Sequence, residues 1–218
     1  FMNIDLTIKE LYRIFNFFNK KFYNDVLEKP VILVQTNGKH KGTYGWCTSK
    51  KIWNDQEGKE SYYEITICAE YLNIPIEEII GTMLHEMVHL NNLQFDIKDT
   101  SRAGTYHNKR FKEVAEEKGL IIEYDKRIGW SLTKLQENTK NMITGLNPSL
   151  ELFKIARRGP YVLSKIDEVN DNETFEEEEK PKSSMRKYVC PGCVTIIRAT
   201  KDVNIICGNC KQTFILEE

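Results

Sequence analysis

The stretch Gly81 to Leu90, Gly-Thr-Met-Leu-His-Glu-Met-Val-His-Leu, constrains this chain more than any other, because it sets the pattern H-E-x-x-H inside an apolar run of helical period. On a helix, residues four apart lie one above the other, so the imidazoles of His85 and His89 project from one face and can share a small cation. Zinc fits that donor set: a catalytic zinc keeps three protein ligands and leaves its fourth tetrahedral position to water. Glu86 lies beside the ligands without being one, placed to take a proton from the water and pass it to a leaving amine. The motif points to metal-assisted amide hydrolysis. Its helix context is met by Asn73 and Pro75 ahead of it, by Glu77 and Glu78 in the first turn, and by Ile76, Ile79, Ile80, Met83, Leu84, Met87 and Val88 around most of the circumference. A helix this apolar is a buried one, and its polar stripe, Glu78, Thr82, His85, His89 and Asn92, then needs partners.

A third ligand is required, and the only other histidines are His40 and His107. Residues 106–118 are expected to form a second helix with Phe111, Val114 and Ala115 on its apolar face. His107 falls on that inward face, whereas Glu116 lies opposite and Glu113 well round the outside. The downstream carboxylates Glu113, Glu116, Glu117 and Glu123 are the alternative ligands, and helical geometry favours His107. Asn92 and Phe95 stand where a metzincin would place Gly and His. Tyr106 is a candidate donor to an oxyanion.

The rest of the chain reads as support. Residues 5–28 carry apolar residues at helical spacing, and Pro30 is expected to end that helix. Strands are expected at Val31 to Val34, in the glycine-punctuated stretch 42–53, and at 61–68, with a turn at Asn37-Gly38. Tyr44 and Trp46 are candidate substrate contacts on a strand edge that could hold an extended peptide. This order gives an α+β, zincin-like core of helices packed on a small sheet. A short hairpin is expected over 121–130, and helical pattern recurs around 132–142 and 150–157.

Six cysteines divide into four with metal spacing and two without. Cys190-Pro-Gly-Cys193 and Cys207-Gly-Asn-Cys210 have the paired form that holds a structural zinc through four thiolates. Cys47 and Cys68 are expected to be plain buried thiols. Between the two candidate zinc modules, residues 167–179 carry eight acidic side chains and no basic one. The expected organisation is a zincin domain over 1–166, an acidic linker over 167–183 and a four-cysteine zinc ribbon over 184–218. No run approaches the roughly 18 apolar residues of a membrane span, and the expected address is cytoplasmic.

These motifs resemble the SprT-like zinc metalloprotease family, the Spartan-related group, in the bacterial and mobile-element form that ends in a zinc ribbon. The similarity rests on the aromatic N-terminal helix, on Gly42 to Trp53, on Glu64-Ile-Thr-Ile67, on Leu84 to Leu90, and on Gly104-Thr-Tyr-His-Asn-Lys-Arg-Phe111. It implies His85, His89 and His107 as ligands of a catalytic zinc and Glu86 as general base, acting on protein or peptide. It further implies proteins crosslinked to DNA as a substrate and DNA as a partner. A different class of function is also open: a nucleic-acid-binding ribbon adaptor with a regulatory or inactive zincin core. That reading uses Arg186, Lys187, Tyr188, Arg198, Lys201, Lys211 and Phe214 for phosphate contacts and a base stack.

Overall fold

The computed structural model describes residues 4–37, 42–158 and 185–217. The Asn37-Gly38 turn, His40 and the acidic linker fall wholly or partly outside them. The chain divides into two compact units, residues 1–169 and 170–218.

In the first unit, α1 (Ile4–Tyr23) turns Leu11, Ile14, Phe15 and Phe18 fully inward. It ends earlier than the expected stop at Pro30. Asn24 and Asp25 take positive φ, and the Asn19 amide grips Leu27 in both directions, accepting its N–H and donating to its carbonyl, both at 3.2 Å. Leu27 is therefore buried by a loop that mimics helical spacing.

Three strands form the first sheet. β1 (Val31–Gln35) runs parallel to β5 (Glu64–Cys68), and β2 (Gly45–Cys47) runs antiparallel on the other side of β5. Between β2 and β5 the chain makes a small ribbon of β3 (Trp53–Asn54) and β4 (Ser61–Tyr62). The helix carrying the motif, α2 (Ile76–Gln94), packs on this sheet with Ile79, Ile80, Met83, Leu84, Met87, Val88 and Leu90 at no more than 1% exposure. Each such side chain contributes roughly 1.5–3 kcal/mol by burial, so the motif sits on the best-anchored element of the fold. Gly45 is what lets β2 approach α2. A Cβ there would stand 2.8 Å from the Thr82 methyl and 2.7 Å from the Thr66 carbonyl oxygen.

A second sheet follows, in the order β6-β7-β9-β8, from β6 (Thr100–Ser101), β7 (Tyr106–His107), β8 (Leu120–Asp125) and β9 (Gly129–Leu135). Between β7 and β8 the chain forms α3 (Lys109–Glu117). His107 thus lies on a strand and not on the expected second helix. The reason is Asn108, whose extended backbone and side-chain oxygen, accepting from the N–H groups of Arg110 and Phe111, cap the helix and start it at Lys109, two residues after His107. The hairpin of β8 and β9 is longer than the expected 121–130, and its second strand takes up the start of the stretch 132–142. Only after Leu135 does α4 (Glu137–Leu146) begin. The stretch 150–157 yields a single 3-10 turn, Leu150–Phe153. Among the described residues no helix is long and apolar enough to cross a membrane.

The second unit holds a three-stranded antiparallel sheet with β10 (Arg186–Val189) between β11 (Ile196–Ala199) and β12 (Ile215–Glu217). Its small core is Tyr188, Cys190, Cys207 and Phe214. The whole is a mixed α+β protein with a four-cysteine cluster that fits a zinc ribbon.

Candidate metal centre

His85 and His89 leave α2 one turn apart, and β7 brings His107 against both. The Nε2 atom of His107 stands 3.2 Å from that of His85 and 3.0 Å from that of His89. Zinc–nitrogen bonds of 2.0–2.1 Å at tetrahedral angles place ligand nitrogens roughly 3.3–3.4 Å apart, so these imidazoles are set close to the spacing of three ligands on one ion.

The other side of each ring decides the tautomer. His89 Nδ1 donates to Asp99 Oδ2 at 2.7 Å, and His107 Nδ1 faces the Ile128 carbonyl oxygen at 3.4 Å. His85 Nδ1 lies 2.7 Å from Thr133 Oγ1, and that hydroxyl donates its own proton to the Ser131 carbonyl, which makes it the acceptor from His85. With the protons on Nδ1, three Nε2 lone pairs point at one another, an arrangement that a cation relieves. The donor set therefore fits zinc. Burial and the neighbouring imidazoles hold His85 well below its ordinary pKa, and burial pushes His107 down to about 4. For His89 burial acts in the same direction, but the Asp99 hydrogen bond together with the Glu86 and Asp99 charges outweighs it and the pKa rises.

The walls are equally specific. Phe111, fully buried, lies with its ring centroid 4.6 to 4.7 Å from all three imidazoles. Gly129 faces His107 across β7 and β9 at φ +76°, where a Cβ would stand 2.1 Å from the His107 carbonyl oxygen. No side chain is tolerated there without moving the third imidazole. Glu86 is 5% exposed, and burial pushes its carboxyl up to about 7 against the N–H of Cys47, which donates to it from β2.

The structure brings His85, Glu86, His89 and His107 together and leaves three other candidates elsewhere. The hydroxyl of Tyr106 pairs with that of Tyr124 at 3.2 Å, and its ring lies under Arg102. On a strand neighbouring side chains point to opposite faces, so Tyr106 turns away from the face that His107 uses. Tyr44 stacks on Tyr71 at 4.1 Å. Trp46 pairs with Thr66, on the sheet face opposite Gly45 and Cys47. Cys68 is buried and Cys47 half-buried. Asp99, Thr133 and the Ile128 carbonyl went unseen in the sequence. Only non-local pairing brings them to the imidazoles.

In the second unit the Sγ atoms of Cys190, Cys193, Cys207 and Cys210 lie within 4.8 Å of one another. The two knuckles repeat one hydrogen-bond pattern: Val194 N–H to Cys190 carbonyl and Lys211 N–H to Cys207 carbonyl, each at 2.9 Å. Hydrogen bonding from Thr195 draws the Cys193 thiol down to about 6, toward the thiolate that a metal takes. Tyr188 and Phe214, the aromatics of the base-stacking reading, are core residues at 5% and 9% exposure. Arg186 pairs with Asp202, and Lys187 with Glu217.

A scaffold of this kind belongs with the α+β proteins able to hold a cation between a helix and a neighbouring strand. Residues 11–127, just over half of the chain, match the model of the SprT-like family, and the chain belongs to that family. No curated protein and no solved structure matches it. The matched span holds all three imidazoles and Asp99, and stops short of Thr133.

Proposed function

We propose that the chain is a zinc-dependent endopeptidase in which His85, His89 and His107 hold the catalytic ion and Glu86 is the general base, with a second, structural zinc on the four ribbon cysteines. The observation that carries this reading is the convergence of three Nε2 atoms next to a buried carboxylate. Zinc bound there supplies an acidified water and a Lewis acid for the scissile carbonyl. Glu86 would serve as general base, accepting a proton from the attacking water, and then as general acid, returning it to the leaving amine. Its burial raises the basicity of the carboxylate and keeps bulk water from it.

The substrate main chain lies along β2, which has no strand on its outer side among the described residues. The N–H and C=O groups of that edge hold an extended peptide beside Glu86. Family membership supports a protein substrate, and DNA-bound or DNA-crosslinked protein is the class we favour. The ribbon's exposed Arg198, Lys201 and Lys211 are its phosphate contacts, and with Tyr188 and Phe214 buried no aromatic stack is invoked. The cytoplasm is the compartment we assign.

Digestion of casein and of histone, with and without single- and double-stranded DNA, tests this directly. Cleavage is expected to stop with a chelator and to resume on adding zinc. DNA is expected to accelerate histone cleavage in a salt-dependent way. Absence of cleavage by the zinc-loaded chain under every condition would contradict the enzyme reading and leave the ribbon adaptor in its place.

A further inference from the structure

We propose that Asp99 is the positioning residue that assembles the imidazole set and fixes its affinity for zinc. The proposal rests on the reading of His85, His89 and His107 as ligands and concerns what holds them in place.

Asp99 sits immediately before β6, 7% exposed, and reaches both halves of the site. Through its side chain it is bound to α2 twice, because Oδ2 accepts from His89 Nδ1 at 2.7 Å and from Asn92 Nδ2 at 3.0 Å. Asn92 is itself fully buried and held by Asn91, whose amide donates to its Oδ1 at 3.1 Å. Through its backbone Asp99 is bound to the other half, because its carbonyl accepts the N–H of Asn108 at 2.9 Å. Asn108 directly follows His107 and caps α3. One residue thus ties the helix that carries two imidazoles to the strand that carries the third.

The three acceptors behind the imidazoles differ in kind. Thr133 offers a hydroxyl and Ile128 a backbone carbonyl at 3.4 Å, whereas Asp99 offers a carboxylate. A hydrogen bond to a charged acceptor is roughly twice as strong as a neutral one. It also holds the ring in the tautomer that presents Nε2 and raises the basicity of that nitrogen. Three neutral imidazoles bring no charge to a divalent cation, and beside the Glu86 carboxylate Asp99 places a second negative charge one imidazole away.

The competing account is that Asp99 only stabilises the fold. Zinc affinity separates the two when measured on the full-length chain by competition with a fluorescent chelator. The difference between the parent and His107→Ala isotherms isolates the imidazole site from the thiolate site. Asp99→Ala is expected to weaken the imidazole site about 10- to 100-fold. Asp99→Asn keeps one acceptor oxygen without the charge and is expected to recover part of that loss. Metal-free Asp99→Asn is expected to stay folded without denaturant, at a urea midpoint below the parent's because the charge on the His89 bond is lost, so its weaker zinc binding is read on a folded chain, which a purely structural role does not give. If the alanine variant fails to fold, the asparagine variant decides. Parental affinity in Asp99→Asn and in any folded Asp99→Ala chain overturns the proposal. Superimposable isotherms for the parent and His107→Ala overturn the ligand reading itself, and the proposal with it.

Discussion

Glu86→Gln is expected to lower kcat for peptide hydrolysis by about 10²- to 10⁴-fold while the zinc content stays at the parent's value. The separation follows from geometry. Glu86 is next to His85 in the chain but is not one of the three ligating side chains, so removing its charge leaves the ion's ligands untouched. The glutamine is isosteric and its carbonyl oxygen can still accept the Cys47 N–H, so the buried position at 5% exposure remains satisfied. What is lost is the ability to accept a proton. Steady-state kinetics on a quenched peptide, with metal analysis of the same sample, reads both quantities. A glutamine variant that cleaves at the parent's rate would remove Glu86 from the mechanism.

The second large effect is expected in the ribbon. Two of its four core residues are cysteines of the metal cluster, leaving Tyr188 and Phe214 to supply roughly 1.5–3 kcal/mol each. A core that small does not hold a module of this size together alone. Zinc in such a module contributes an apparent 10–16 kcal/mol at neutral pH, so a zinc held by these four thiolates would be the main source of its stability. Cys190→Ser, or chelation of the parent, is therefore expected to abolish amide protection across 186–189 and 196–199. Protection across α1 and α2 is expected to persist in Cys190→Ser, because their fully buried apolar side chains belong to a separate core. Hydrogen exchange read by mass spectrometry measures both regions at once. Retained protection of β10 in the serine variant would mean that the ribbon folds without its fourth thiolate.

How much of this was readable in the sequence depends on how local each feature is. The pair His85 and His89, with Glu86, is written within one turn of a helix, and the apolar residues around it determine that the helix is buried. His107 was reachable because a helical wheel and a short supply of histidines pointed to it, yet the element was misread. Asn108 caps a helix that starts after His107, and an Asn between His107 and Lys109 does not distinguish a cap from a first turn by periodicity alone. Thr133 was hidden for a related reason. The spacing of Leu132, Leu135 and Met142 suits a helix, and only pairing with β8 draws residues up to Leu135 into a strand. Asp99 had no signal at all. Its role arises from the loop after α2 folding back on the helix, which no local pattern encodes.

Whether three imidazoles share one ion is tested most directly by zinc counted per chain in the parent and in His107→Ala. Two equivalents in the parent, falling to one in the variant with the ribbon thiolates unchanged, is the predicted result. A single equivalent in both proteins would contradict it.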